Sequence, residues 1–172
     1  MKREASPRLI VRPARPEDAG RIAAVNAEGV PGVTPMLAAE AAQIMREATW
    51  FVVAELDGRV CGYLMAYAPG TDYQGEEYLW FKERSADFFY VDQIAVSESA
   101  RGMGVGRALY DEAARTARSR GLSALVCEIN IDPPNQPSMD FHHRLGFSEI
   151  DRLKVRLYAR CVALMRRPLS RA

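Results

Sequence analysis

The chain has 172 residues, a net charge of +1 and an apolar fraction of 48%. This length suits one domain, so we predict a single domain over residues 1–172 with a core from about residue 9 to about 165. A charge near zero gives no electrostatic reason to expect nucleic acid or an acidic membrane as a partner. No apolar run approaches the roughly 20 residues that span a bilayer, and the first residues lack the apolar run of a secretion signal. We therefore expect a cytoplasmic protein.

Hydrophobic periodicity and turn residues predict seven strands and four helices. In chain order these are a strand over 9–12, helices over 16–27 and 36–47, strands over 50–56, 60–67 and 88–96, a helix from 105 to a stop at Gly121, a strand over 122–131, a helix over 135–145, and strands over 148–153 and 155–164. Asp57-Gly58 is a strong hairpin signal. No helix or strand is assigned to the polar, aromatic-rich insertion 69–85. The pattern predicts an α/β fold, a mixed sheet with helices on both faces.

The cysteines are odd in number and lie in apolar strand patterns, at Cys61, Cys127 and Cys161. Buried free thiols in a reducing cytosol are the simplest explanation. Because none of the three belongs to a CxxC pair, we expect no metal site.

The most informative segment joins the strand over 88–96 to the following helix through Arg101-Gly-Met-Gly-Val-Gly106. Glycines let the backbone approach a ligand closely. The start of a helix offers unpaired amides and a positive dipole end, which suit phosphate. The junction therefore predicts a site for a phosphate-bearing cofactor.

Known glycine loops differ in how well they match this junction. A dinucleotide loop, G-x-G-x-x-G, lacks its third glycine here, because position 109 is Leu. A nucleoside-triphosphate loop would need a Lys-Ser or Lys-Thr pair that is not present. Arg101-x-x-Gly104-x-Gly106, preceded by the strand end Gln93–Val96, resembles the acyl-CoA-binding signature of the GNAT superfamily of N-acyltransferases. Taken alone, the hexad also fits an ordinary glycine-rich turn.

A second motif, from Asn135 to Phe147, strengthens the resemblance. It is similar to the family pattern N-x-x-A-x-x-F-Y-x-x-x-G-F, with Ser138 in the small position and His142 in place of Tyr. The resemblance extends over roughly residues 9–165 and is loose before Thr49. It implies a mostly antiparallel sheet with a splayed central strand pair. It also implies transfer of an acetyl group from acetyl-CoA to a primary amine of a small molecule, amino acid or peptide by direct attack.

The resemblance further implies which residues hold coenzyme A. Strand backbone would bind the pantetheine arm, loop amides the pyrophosphate, and the second motif would complete the site. Arg101 is expected to order the loop more than to touch phosphate. The expected cofactor-binding residues are Ile94, Ala95, Val96, Arg101, Gly102, Met103, Gly104, Val105, Gly106, Arg107, Asn135 and Ser138.

Catalytic roles are predicted for His142 and Asp92. The Tyr that His142 replaces donates a proton to the departing thiolate in relatives, and an imidazole with a pKa of about 6.5 can do the same. Packing or a structural contact to the cofactor is the alternative for His142. Asp92 stands where some relatives place a Glu that acts on the amine through water, and a buried carboxylate there would have a raised pKa. A structural carboxylate is the alternative for Asp92.

The acceptor site is the least determined part. By resemblance it is built from residues 28–36 and 72–86, and carboxylates beside aromatic rings suit a cationic amine. We predict substrate contacts for Glu28, Tyr78 and Trp80, although the aromatic residues also fit a small satellite core or a dimer contact. The apolar final strand and the aromatic insertion also favour a homodimer. The competing function is a non-catalytic acyl-CoA-binding sensor or regulatory module.

Overall fold

The computed structural model describes residues 8–157 and 159–170. Its strands and helices interleave along the chain as the α/β prediction requires. In order, the elements are β1 (Leu9–Pro13), a 3₁₀ turn (Pro16–Asp18), α1 (Ala19–Gly29), α2 (Ala38–Glu47), β2 (Trp50–Leu56), β3 (Arg59–Tyr67), α3 (Glu76–Lys82), β4 (Phe89–Val96), a 3₁₀ turn (Glu98–Ala100), α4 (Val105–Ser119), β5 (Ala124–Asp132), α5 (Gln136–Arg144), β6 (Ser148–Val155) and β7 (Arg160–Pro168).

The strands form a seven-stranded sheet in the order β1-β2-β3-β4-β5-β7-β6. β1 and β2, β5 and β7, and β6 and β7 pair antiparallel, whereas β4 and β5 pair parallel. In the described chain, β4 and β5 pair only at Phe89–Leu125 and Tyr90–Val126, although the strands continue to Val96 and Asp132. The predicted mixed, mostly antiparallel sheet with a splayed central pair is confirmed.

Two predicted regions differ from the structure. The insertion contains α3, whose first turn carries Glu76 and Glu77 and whose last turn carries Lys82, a charge order that suits the helix dipole. The final strand predicted over 155–164 begins too early, because the chain turns after Val155 and β7 begins at Arg160. The turn includes Ala159 at φ +46°, and no Gly or Pro marks it in the sequence.

The chain divides into two compact units, residues 1–64 with 93–110, and residues 65–92 with 111–172. The first unit buries Ile22, Val25, Val53, Tyr63, Leu64, Val105 and Leu109. The second buries Met65, Tyr78, Phe88, Phe89, Tyr90, Leu125 and Leu164. One domain over 1–172 stays a prediction.

The hairpin between β2 and β3 turns at Asp57 and Gly58, whose φ angles of +51° and +78° fit the two-residue turn that matches strand twist. Cys61 and Cys127 are buried free thiols, as predicted, and Cys161 is half-buried. Among the described residues, no helix is long and apolar enough to cross a membrane, and no group of three or more His, Cys, Asp or Glu side chains is arranged to hold a metal ion.

Candidate active site

The loop between β4 and α4 presents its backbone. Gly102 and Gly104 have φ angles of +78° and +81°, and a Cβ added at either would meet nothing within 4 Å. The Met103 amide donates to the Ala100 carbonyl at 3.4 Å. In the part of the chain that the structure describes, no hydrogen bond is donated by the amides of Gly102, Gly104, Val105, Gly106 and Arg107. Unpaired amides at the positive end of a 15-residue helix fit the pyrophosphate of a cofactor.

Glu28, at the end of α1, anchors the entry to this loop. Its carboxylate accepts from Ser97 Oγ at 2.9 Å and from the Glu98 amide at 2.6 Å. The hydrogen bond from the Glu98 amide lowers the pKa of Glu28 most, and the bond from Ser97 lowers it further, so this pKa lies below its usual range. Arg101 Nη2 donates to the Glu28 carbonyl at 3.2 Å, which agrees with a loop-ordering role. The Glu28 carboxylate is therefore committed to the loop, and these contacts favour a structural role over the predicted substrate contact.

β4 carries the strand end expected to hold the pantetheine arm. Ala95 is buried, whereas Ile94 and Val96 are half-buried. The Ala95 carbonyl lies 3.1 Å from where a Cβ on Gly62 would be, so a larger side chain on β3 would require a small shift of the β4 backbone. Cofactor binding by these three residues stays a prediction.

A buried polar network that the sequence did not reveal fixes Gln93 in β4. Asn26 Nδ2 donates to Gln93 Oε1 at 3.2 Å, and the Tyr63 hydroxyl donates to the same oxygen at 2.9 Å. Asn26 Oδ1 in turn accepts from the Met36 amide at 2.8 Å. Hydrogen bonds from α1 and β3 therefore fix Gln93, the residue that precedes the strand end expected to hold the pantetheine arm.

Asp92 lies among tyrosines in the second unit. Tyr73 donates to Asp92 Oδ1 at 2.6 Å, and the Tyr90 hydroxyl is 3.3 Å from the same oxygen. Tyr73 is itself fixed by stacking on Tyr67, with ring centroids 3.9 Å apart. Asp92 keeps some exposure, yet burial of its carboxyl raises its pKa to about 6. A carboxylate that changes charge near neutrality suits proton transfer.

Glu128, in β5, was missed as a site residue. Its Oε2 is 2.8 Å from the Tyr90 hydroxyl, and burial raises its pKa well above the usual value. Close by, Arg160 Nη2 and Glu77 Oε1 form an ion pair at 2.9 Å. The signal was available, because Glu128 follows the apolar run Ala124–Cys127 in β5, and a charged group after such a run needs a reason.

The second motif forms α5, where Asn135 caps the helix by accepting from the Ser138 amide at 3.3 Å. His142 is buried, with Nδ1 2.7 Å from the Ser138 carbonyl. A carbonyl only accepts, so this geometry assigns the proton to Nδ1 and a lone pair to Nε2 in the neutral ring. Burial lowers the pKa of His142 to about 4. His143 is exposed.

The two aromatic residues predicted to touch substrate lie in α3. Tyr78 is wholly buried, and its hydroxyl donates to the Ala68 carbonyl at 3.0 Å, which favours a structural role over the predicted substrate contact. Tyr78 fits the small satellite core that was the alternative prediction for the aromatic residues. Trp80 is half-buried, with the Arg84 guanidinium 4.0 Å from its ring centroid. A substrate contact by Trp80 stays a prediction.

Residues 26–147 match the model of the family described as "Acetyltransferase (GNAT) family". An L-2,4-diaminobutyric acid acetyltransferase of Nocardia farcinica is 34% identical over 88 residues, 51% of this chain and 39% of that protein. The chain therefore spans about two fifths of the length of this relative.

Solved structures show the same fold. Ard1 from Thermoplasma volcanium superposes with a TM-score of 0.75 at 20% identity, covering 94% of this chain and 98% of that one. yncA from Salmonella typhimurium, determined with its cofactor acetyl-CoA, gives 0.69 at 18% identity and 95% of each chain. Together with a family model that covers most of the sequence, this establishes that the chain belongs to the GNAT family of acetyltransferases.

Proposed function

We propose that this chain transfers an acetyl group from acetyl-CoA to a primary amine. The observation that carries the proposal is the set of unpaired amides in the loop from Gly102 to Arg107. Five donors at one helix start favour a ligand with clustered phosphate oxygens, and family membership narrows that ligand to acetyl-CoA. Gly102 and Gly104 leave room for the phosphates, and Arg101 and Glu28 keep the loop in shape.

When bound, acetyl-CoA supplies an activated thioester. We assign the strand backbone of Ile94, Ala95 and Val96 to its pantetheine arm. Asn135 shapes the first turn of α5, and Ser138 sets the orientation of His142. Because these residues bind and orient the cofactor, substitutions at these positions should weaken acetyl-CoA binding more than they lower kcat.

Asp92 is the proposed general base. With its pKa raised to about 6, Asp92 is mostly ionised at neutral pH and still basic enough to take a proton from an ammonium group, directly or through water. Tyr73 holds the carboxylate in one orientation through a 2.6 Å hydrogen bond. With acetyl-CoA bound, the deprotonated amine would be free to displace the CoA thiolate from the acetyl carbon.

The proton-donor role of His142 remains a proposal that the tautomer constrains. With Nδ1–H given to the Ser138 carbonyl, Nε2 holds a lone pair, so donation to a thiolate requires the proton to move to Nε2. A pKa of about 4 makes the imidazolium scarce at neutral pH. Replacing His142 with Ala and with Gln separates the two roles, because Gln can still bond the Ser138 carbonyl but cannot relay a proton.

For the acceptor, we propose a small-molecule, amino-acid or peptide amine. The named relative acts on an amino acid with a side-chain amine. With a pKa of about 6, the Asp92 carboxyl group is mostly ionised at neutral pH, so a cationic amine would find negative potential there. Trp80, which is half-buried, is a proposed contact in the acceptor region.

The test is an acceptor panel with mass detection of the product. The wild-type chain is incubated with acetyl-CoA and amines, diamino acids or short peptides, with Gly104→Glu as the control that fills the loop with a side chain and a negative charge. An acetylated amine formed by the wild type alone supports the proposal. Tight acetyl-CoA binding without product from any acceptor would favour the acyl-CoA-binding module instead.

A further inference from the structure

Two carboxyl groups of the second unit meet at one tyrosine hydroxyl. Tyr90 pairs with Val126 in the parallel register of β4 and β5, which brings Glu128 of β5 beside it. Tyr90 Oη is 2.8 Å from Glu128 Oε2 and 3.3 Å from Asp92 Oδ1. The same Asp92 oxygen accepts from Tyr73 at 2.6 Å.

Counting protons at Tyr90 limits the arrangement. A tyrosine hydroxyl has one proton to donate and lone pairs to accept with. If both carboxyl groups were ionised, Tyr90 could satisfy only one of them, and an ionised carboxylate would lie beside an oxygen lone pair. A proton on one carboxyl group resolves this, because that group can donate to Tyr90 Oη while Tyr90 donates to the other.

The surroundings indicate which carboxyl group holds the proton. Asp92 has the Tyr73 hydroxyl as a second donor, whereas Tyr90 is the one side chain within the described residues that hydrogen-bonds Glu128. The other charged groups around Glu128 are Glu77 from α3 and Arg160 from β7, which pair with each other. Ionising all three carboxyl groups against one guanidinium would leave two uncompensated negative charges in a buried site, which is costly.

We infer that Glu128 is a positioning residue that rests as a neutral carboxylic acid and donates to Tyr90, so that Tyr90 donates to Asp92 and keeps Asp92 as the ionised base. The donor chain runs from Glu128 Oε2 to Tyr90 Oη to Asp92 Oδ1. Burial, which raises the pKa of Glu128 well above its usual value, agrees with this assignment. The inference rests on the proposed function only where it names Asp92 as the base.

Infrared spectroscopy of the purified chain at neutral pH tests the protonation state without any substrate. A protonated carboxyl group has a C=O stretch that a carboxylate lacks. We expect this band in the wild type and in Asp92→Asn, and its loss in Glu128→Gln, which keeps the size of the side chain. Absence of the band in the wild type, or its loss in Asp92→Asn but not in Glu128→Gln, would overturn the inference. Thermal unfolding of each variant confirms that it is folded.

The pH dependence of turnover gives a second readout for an active enzyme. The Gln amide can donate to Tyr90 as the acid does, so Glu128→Gln should leave the acidic limb of the kcat/KM profile where it is. Tyr90→Phe should move that limb to higher pH, because the Asp92 anion loses a donor. A shift to lower pH in Glu128→Gln would mean that a negative charge had been removed, and would contradict a neutral Glu128. Since the spectra need no turnover, a failed acetylation assay leaves the infrared result standing.

Discussion

Replacing Gly62 by Ala tests how closely β3 approaches its neighbours. An added Cβ would lie 3.0 Å from Val105 Cγ1, 3.1 Å from the Ala95 carbonyl and 3.4 Å from Leu109 Cδ1. The Val105 methyl can move, but the Ala95 carbonyl belongs to strand backbone. Overpacking of this kind costs about 1–3 kcal/mol. The unfolded chain loses freedom when Gly becomes Ala, which offsets about 0.4–1 kcal/mol.

Midway values of about 2 and about 0.7 kcal/mol leave a net fall of about 1.3 kcal/mol in the free energy of unfolding, or roughly 3–5 °C in Tm for a chain of this size. Because Ala95 belongs to the strand end assigned to the pantetheine arm, Gly62→Ala should also weaken acetyl-CoA binding in calorimetry.

Gly20→Ala is the matched control. Gly20 lies in α1, and a Cβ there would meet nothing within 4 Å. The same substitution should therefore raise stability, by up to about 1 kcal/mol, with acetyl-CoA binding unchanged. If Gly62→Ala were as stable as the wild type while Gly20→Ala gained stability, the close approach of β3 to β4 would be refuted.

Three further predictions concern charged and titrating groups. Asp92→Asn should lower kcat by about 10²–10⁴ with acetyl-CoA affinity unchanged, and wild-type kcat/KM should fall below about pH 6 as Asp92 gains a proton; a normal kcat would exclude Asp92 as the base. Glu28→Gln should raise the Kd for acetyl-CoA severalfold by loosening the loop, and unchanged calorimetry would show that the loop keeps its shape without this anchor. His142, whose folded pKa of about 4 lies below its unfolded value, should make stability fall as pH drops below about 6.5, at up to about 1.4 kcal/mol per pH unit until about pH 4. Urea unfolding should show this slope in His143→Ala but not in His142→Asn, and equal slopes would contradict the assignment.

Short sequence patterns were enough to predict much of the fold. Gly102 and Gly104 marked the loop, Asp57-Gly58 marked the hairpin, and Asn135 marked the start of α5, because each residue type answers a backbone requirement at its own position. The strand over 50–56 was predicted at its observed bounds. The turn at Ala159 was not, because it is imposed by the antiparallel pairing of β6 and β7 and carries no turn residue.

The site itself depended more on long-range contacts. Asp92 and Glu128 are far apart in the sequence, and only the parallel register of β4 and β5 brings both to the Tyr90 hydroxyl. Tyr78 was expected at the substrate because an aromatic insertion can serve a site or a core, and composition does not separate these roles. The complete burial of Tyr78 and the hydrogen bond from its hydroxyl to the Ala68 carbonyl favour the core role.

The most direct test of the central claim is the release of free CoA thiol from acetyl-CoA, followed with and without an amine acceptor. The proposed acetyl transfer predicts thiol release that requires the acceptor, is lost in Gly104→Glu and is strongly reduced in Asp92→Asn. Release that does not depend on the acceptor would contradict acetyl transfer to an amine, and release that survives in Gly104→Glu would contradict the cofactor role of the loop.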